Sequence, residues 1–215
     1  MTSGGRVPLA PLLASCALVP AIAFAALDAD SLLKALAHPA PATTPFVEVR
    51  FSKLLDQPLL VKGQLEYHED GALVRAVNAP FRERTEIRGE TVTVERVGKA
   101  TRRFSLKRAP ELRSMLGGFA AVLGGSQESL KRDFNLALTG EESHWHLALT
   151  PKSASVGKYV RDIVIEGHAS DARCIVVTQP DTQASVMLVG KATETSLPTP
   201  LERGWLDHFC ASGGS

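Results

Sequence analysis

Few residues of this chain have the types and spacing that catalysis needs. His144 and His146 flank Trp145, so on a strand both imidazoles leave the face opposite the indole. Such a pair reads either as two solvent-facing histidines or as part of a metal site, and no third ligand completes a recognised spacing. His68 and His168 fall beside turns at the ends of alternating segments. The chain has no Gly-x-Ser-x-Gly elbow, no phosphate-binding glycine loop and no His-Glu-x-x-His pair. Gly124-Gly125-Ser126 reads as a helix stop followed by a new cap. Carboxylates are scattered rather than paired in apolar settings, which leaves general acid–base chemistry without a site. These residues point to a protein that binds rather than reacts, with no catalytic set, no metal and no cofactor.

Two other groups of side chains bear on function. Phe81 to Arg113 holds ten Lys/Arg against five Glu, in a chain whose formal charge is +1. Arg82, Arg84 and Arg88 alternate there and would share the solvent side of a strand. That is either an ordinary solvated face or a docking surface for an acidic partner or lipid headgroup. The near-neutral total gives no case for nucleic acid. Cys174 and Cys210 form an even pair, which in an oxidising compartment reads as a disulfide closing a long loop. The other reading makes Cys174 a small buried apolar residue within a strand.

The compartment follows from the first stretch. After Arg6, residues Val7 to Ala26 carry no charge, and Ala23-Phe24-Ala25 places small residues where signal peptidase needs them. A cleaved signal over 1–25 is the expectation, with a periplasmic domain over 26–192 and a tail over 193–215. Two other readings exist. Leu13-Ala14-Ser15-Cys16 would pass as a lipobox that acylates Cys16, although the residues after it are apolar rather than a polar tether. The run is also long enough for an uncleaved anchor, which Pro8, Pro11 and Pro20 oppose.

The remaining pattern gives the elements. Asp28 or Asp30 caps a short helix through His38, with Leu32, Leu33 and Leu36 on one face and Pro39, Pro41 and Pro45 ending it. The period then changes to two. Six strand segments follow between Val47 and Lys107, joined by short polar turns such as Glu69-Asp70-Gly71 and Arg88-Gly89-Glu90. Pro110 to Gly125 breaks this with helical spacing of Leu112, Met115, Leu116, Phe119 and Leu123. That stripe is ordinary core or a lid able to bend at Gly117-Gly118. A second helix is predicted over Ser126 to Arg132, then strands at Phe134 to Leu138, Trp145 to Leu149, Arg161 to Glu166, Arg173 to Thr178 and Ser185 to Val189, and a last short helix over Leu201 to Phe209. The fold class is α+β: about eleven antiparallel strands in one strongly curved sheet, packed on helices or closing towards a barrel. The period-two positions expected to face inward are Val49, Phe51, Leu65, Phe81, Ile87, Val92, Val94, Phe104, Leu136, Trp145, Leu147 and Ile163, as barrel core or as cavity wall.

This order of leader, short helix, six-strand meander, helix pair and five further strands resembles the LolA family of periplasmic lipoprotein carriers. Trp145-His146-Leu147-Ala148-Leu149-Thr150-Pro151-Lys152 is similar to the family's strand ending in Leu-Thr-Pro-Lys, and Phe46 to Lys53 resembles its first strand. Thr85 to Glu95 is similar to a turn-linked strand pair of that family. Phe81-Arg82-Glu83-Arg84, Val92-Thr93-Val94-Glu95-Arg96 and Pro110-Glu111-Leu112 resemble a divergent branch, often encoded beside aryl-polyene or other lipid-export machinery. The resemblance implies a monomeric, unclosed half-barrel with helices over its mouth. It also implies an acyl chain held between them, an inner-membrane exporter as donor and an outer-membrane acceptor. LolA proteins carry an Arg-Pro dipeptide whose arginine bonds the lid shut. Here that place reads Val77-Asn78-Ala79-Pro80, and the nearest arginine is Arg75.

Three functional classes follow. A lipid or lipoprotein carrier needs no catalytic group, and sequestering about a dozen methylenes at ~0.8 kcal/mol each suffices for transit through water. An RseB-type envelope-stress sensor would use the same fold, and a lipid-modifying enzyme would need a buried nucleophile–base pair. The leader reading has its own measurement. Mass spectrometry of the protein from a native periplasm is expected to show an N-terminus at Ala26 or Leu27, and a diacylated Cys16 would establish the lipoprotein form instead.

Overall fold

A computed structural model describes residues 28–106, 127–181 and 183–212. The leader and the Leu112, Met115, Leu116 and Phe119 segment lie outside the described residues. Helix α1 (Ala29–Leu36) starts where Asp28 accepts from the backbone N–H groups of Asp30 and Ser31, each at 3.0 Å. That carboxylate satisfies donors that the first turn leaves without partners. Leu32, Leu33 and Leu36 recur on one face of α1, and all three are buried.

Eleven strands then form one antiparallel sheet. They are β1 (Ala42–Phe51), β2 (Leu59–Tyr67), β3 (Leu73–Ala79), β4 (Glu83–Arg88), β5 (Thr91–Arg96), β6 (Arg102–Ser105), β7 (Phe134–Glu141), β8 (His144–Pro151), β9 (Asp162–His168), β10 (Asp171–Thr178) and β11 (Ala184–Val189). The chain meanders from β1 out to β6 at one edge, resumes at β7 on the other edge and meanders back to β11. There β11 pairs with β1, Phe46 opposite Val189 and Glu48 opposite Met187. Strands β6 and β7 remain the two ends of the order, so the sheet curves into a half-barrel that does not close. Among the described residues the other helices are α2 (Gln127–Asp133), α3 (Ala154–Gly157) and α4 (Arg203–Ala211), with a 3-10 turn at Gly190–Glu194.

The sheet has two buried faces at its centre. On the inner face, Leu32, Leu33 and Leu36 of α1 join one cluster with Phe46, Val61, Trp145, Leu147, Ile163, Ile165 and Met187. The Trp145 indole lies flat against Gly167, where a Cβ would sit 2.1 Å from its Cζ2, and its Nε1 donates to the Ala169 carbonyl at 2.8 Å. A buried tryptophan needs such an acceptor. On the outer face, Val47, Val49, Val186 and Leu188 pack with Leu206 and Cys210 of α4. Trp205 and Phe209 of that helix stack at 5.2 Å, and Cys210 is bonded to Cys174 of β10, 36 residues away, with Cα atoms 5.8 Å apart.

This arrangement moves Val49 and Phe51 to the other face of β1 and takes Phe81 out of a strand. Val49 and Phe51 pack on the outer cluster under α4, because β1 presents Phe46, Glu48 and Arg50 to the other side. Phe81 falls in the bend between β3 and β4 rather than in a strand, while still packing on the inner cluster. The bond between Cys174 and Cys210 fastens α4 to the sheet. Non-reducing peptide mapping should recover the linked pair. Cys210→Ser should lower unfolding free energy by about 3–4 kcal/mol, the loop-closure value for a bridge of this span, read from denaturant melts with and without reductant.

Candidate functional site

Strand parity brings three charged side chains together on the inner face. Side chains directly opposite across an antiparallel ladder share a face. Glu48 stands opposite Val61 and Met187, Arg50 opposite Leu59 and Ser185, and Arg75 opposite Leu65 and Thr85. Arg75 is two strands from Glu48, with β2 between them. The inner-face positions of β2 include Gly63, where a Cβ would lie 2.0 Å from the Ala76 carbonyl oxygen and 2.9 Å from Cε1 of Phe46. The missing side chain lets the Phe46 ring cross β2, and the Arg75 guanidinium stacks over that ring at 4.8 Å from its centre. Arg75 thereby reaches Glu48.

The resulting cluster is tightly made. Arg50 donates through Nε to Glu48 Oε1 at 2.8 Å and through Nη2 to Oε2 at 2.9 Å. Arg75 Nη2 donates to the same Oε2. Glu48 is buried, its side chain 7 % exposed, against 21 % for Arg75 and 42 % for Arg50. Burial pushes the Glu48 carboxyl upward, and the Arg50 hydrogen bonds together with the charges of Arg75 and Arg50 outweigh it, leaving the group below its ordinary value. The Glu48 hydrogen bond in turn raises Arg50.

This cluster stands in a cavity of about 430 Å³, inside the range of small-ligand sites. Its apolar walls are Leu59, Leu65, Leu73, Ile87, Val177 and Met187, with contributions from six strands. Leu55, 44 % exposed, stands on the rim, next to Leu54 at 90 %. A second cavity of about 450 Å³ lies beside the end of α1, lined by mixed charge including His38, His168, Asp171, Arg173 and Lys191. The first is the better site for an apolar ligand because leucine, isoleucine, valine and methionine side chains surround its Glu48, Arg50 and Arg75 cluster, with Ser52, Thr85, Gln179, Gln183 and Ser185 as the uncharged polar part of the lining.

The residues expected to face inward divide into three sets. Leu65 and Ile87 line the cavity, and Phe51 reaches its rim from the outer cluster. Val92, Val94 and Phe104 continue the same face towards the β6 edge, opposite Ile87, Thr85 and Val92 respectively. Phe81 carries the Arg96 guanidinium over its ring at 4.0 Å. Trp145, Leu147 and Ile163 are packed against the α1 cluster with Leu136 at its border, and none of the four lines the cavity. They are core. Of the basic set, Arg84 pairs with Glu66 at 3.4 Å and Glu86 at 3.8 Å, and Arg88 with Asp70 and with Glu86 at 3.1 Å, on the outer face. Arg82 is exposed beside them.

His144 and His146 flank a buried Glu166, with His146 Nδ1 2.7 Å and His144 Nε2 3.1 Å from its two oxygens. Among the described residues no group of three or more His, Cys, Asp or Glu is placed to hold a metal ion. Sequence reasoning passes over Glu48 and Arg50, because alternation on β1 points to apolar Val49 and Phe51 as the inward positions. The signal was in β10 and β11, where Cys174-Ile175-Val176-Val177 and Val186-Met187-Leu188-Val189 run apolar without alternation, as strands buried on both faces do.

The pH consequence follows from the direction of the Glu48 shift. Its folded value lies below the ordinary 4.5, so its contribution is fully present above that pH and is lost as pH falls through the lower folded value. Glu48→Gln should flatten the acid side of the stability–pH curve. At neutral pH it should also lower stability by about 3 kcal/mol, since both guanidiniums then lose their counter-charge. Denaturant melts across the acid range would read both effects.

The structure of a LolA superfamily protein, NE2245 from Nitrosomonas europaea, matches 84% of this chain and 100% of its own, at 13% identity and TM-score 0.44. A putative outer membrane lipoprotein-sorting protein domain from Vibrio parahaemolyticus matches 83% of this chain and 94% of its own, at 11% identity and TM-score 0.43. The Pseudomonas aeruginosa MucA/MucB complex matches 82% of this chain over 60% of the other, at 11% identity and TM-score 0.35. No curated protein matches by sequence. The family model described as outer membrane lipoprotein carrier protein LolA-like matches residues 21–203, and with that match over most of its length this chain belongs to the LolA-like family.

Proposed function

We propose that the protein binds an acyl chain of a lipid or lipoprotein in the inner-face cavity and ferries it through the periplasm from the inner to the outer membrane. The observation that carries this reading is the cavity of about 430 Å³, walled by Leu59, Leu65, Leu73, Ile87, Val177 and Met187 on the inner face of the sheet. Aliphatic side chains left uncovered in a cavity forfeit the contacts and burial that the rest of the core enjoys, at roughly 25 cal/mol per Å² of apolar area. A hydrocarbon chain restores them. Each buried methylene contributes about 0.8 kcal/mol, so a chain filling this volume is held firmly enough to cross water after the ordering losses of binding.

Chemistry is not part of the reading. The carboxylate of this cavity, Glu48, is held ionised between two arginines, which suits neither a general acid nor a nucleophile with an adjacent base. In a compartment without ATP, delivery runs down a gradient of affinity: an exporter at the inner membrane loads the cavity, and an acceptor at the outer membrane with a better-fitting apolar surface empties it. The protein works as a monomer with no cofactor.

The test is a filled cavity. Ile87 is half-buried and lines the wall, so Ile87→Trp puts an indole into the chain's place without opening the core around α1. Native mass spectrometry of wild type purified gently from its own periplasm should show a lipid adduct, and the Trp variant should lose it while melting within a few degrees of wild type. A wild type that carries no adduct and takes up none from lipid vesicles would sink the carrier reading.

A further inference from the structure

We infer that the cavity is built for an amphiphile with a single anionic, carboxylate-type end, and that this anion sits against the guanidiniums of Arg75 and Arg50. The inference rests on the carrier reading and names the class of cargo. Among the described residues that line the cavity, the charged ones are Glu48, Arg50 and Arg75, two cations against one anion. Farther out on the same face Glu83 favours the charged form of Arg50 and also stands 4.0 Å from Arg96, so those two cancel. Arg102 at the β6 edge adds to the positive side. One positive charge is left over in a cavity whose wall combines leucine, isoleucine, valine and methionine with Ser52, Thr85, Gln179, Gln183 and Ser185.

The excess matters most at Arg75, whose side chain is 21 % exposed against 42 % for Arg50. Desolvating a guanidinium is unfavourable unless a counter-charge meets it, and Arg75 has only a share of the Glu48 carboxylate that Arg50 already holds through two bonds. Hydrogen-bond supply gives the same imbalance. Two guanidiniums offer ten N–H donors, and Glu48 accepts three bonds from them. Among the described residues no other side chain accepts from either arginine, so an acceptor-rich group of one negative charge completes the site on both counts. A carboxylate fits the planar fork of arginine, as Glu48 already shows against Arg50. A phosphomonoester brings nearly two charges and overshoots, a phosphodiester brings the single charge on a tetrahedral rather than a planar group, and a neutral ester brings acceptors without the charge.

The experiment compares cis-parinaric acid, a fatty acid that fluoresces when buried, with its methyl ester, on the intact mature protein at a pH well above the carboxylate range. Wild type should bind the acid tighter than the ester by about tenfold or more, the value of a charge-assisted hydrogen bond. Arg75→Gln should bring the two probes to within about twofold by lowering affinity for the acid and leaving that for the ester unchanged, and Arg75→Lys should recover part of the preference. Arg50→Gln, at a more exposed position, gives the same reading should the Arg75 variants melt below the assay temperature. Excess acetate should not displace the acid; displacement would show a simple anion site and overturn the inference. Equal affinity of wild type for acid and ester would also overturn it while leaving a lipid carrier. Binding of neither probe would instead remove the cavity reading beneath it.

Discussion

A carboxylate buried in the centre of a sheet is tolerated only if cations meet it there, and Glu48 organises its surroundings on that condition. Its side chain is 7 % exposed and takes hydrogen bonds from Arg50 on its own strand and Arg75 two strands away. The reach of Arg75 depends on Gly63, because a Cβ there would collide with the Ala76 carbonyl and with the Phe46 ring over which Arg75 stacks. One ion cluster therefore fixes the register of β1, β2 and β3. A slip by one residue would turn Glu48 out towards α4 and bring Val49 into the cluster. The cost of desolvation makes that cluster a specifying device rather than a source of net stability.

Stability has to come from elsewhere, and the two halves of the sheet divide the work. In the β7–β11 half, α1 seals the inner face over Trp145, Leu147 and Ile163. In the centre, α4 seals the outer face over Val49, Val186 and Leu188 and is bonded there through Cys174 and Cys210. Both sides of β10 and β11 are thus largely buried. The β2–β5 half keeps its outer face polar, with Glu66, Arg84, Glu86, Arg88 and Asp70 in ion pairs that contribute little at such exposure. Its inner face holds the cavity.

How much of this was legible follows the same division. Strict alternation marked the strands, and polar turns with Gly71 and Gly89 at positive φ marked their ends, so the number and order of elements could be read. Phe81 misled because the alternation continues through it, whereas Pro80 just before it lacks the N–H that a ladder needs. Alternation also shows that a strand has two faces without showing which one is inward. On β1 both are covered, and the apolar Val47-x-Val49-x-Phe51 side turned out to face α4. Glu48 and Arg75 are 27 residues apart and meet only through the pairing of three strands. No local pattern encodes that meeting, although Gly63 and the unbroken apolar runs of β10 and β11 were its visible traces.

A ligand site inside a sheet protein faces a conflict between holding a cavity open and keeping the fold cooperative, and the arrangement here answers it by position. The cavity wall draws Leu65, Val177 and Met187 from the same cluster that α1 packs against. Those three side chains are fixed from behind by a complete core, while Leu59, Leu73 and Ile87 on the open side are less buried. Collapse of the empty cavity would need the fixed side to move, which the close packing around Trp145 and Gly167 resists. The ion cluster opposes collapse as well, since closing the apolar walls over Arg50 and Arg75 would strip the water that their remaining donors use. Hydrocarbon wall and ion cluster thus have a common effect: each resists closure of the space between them.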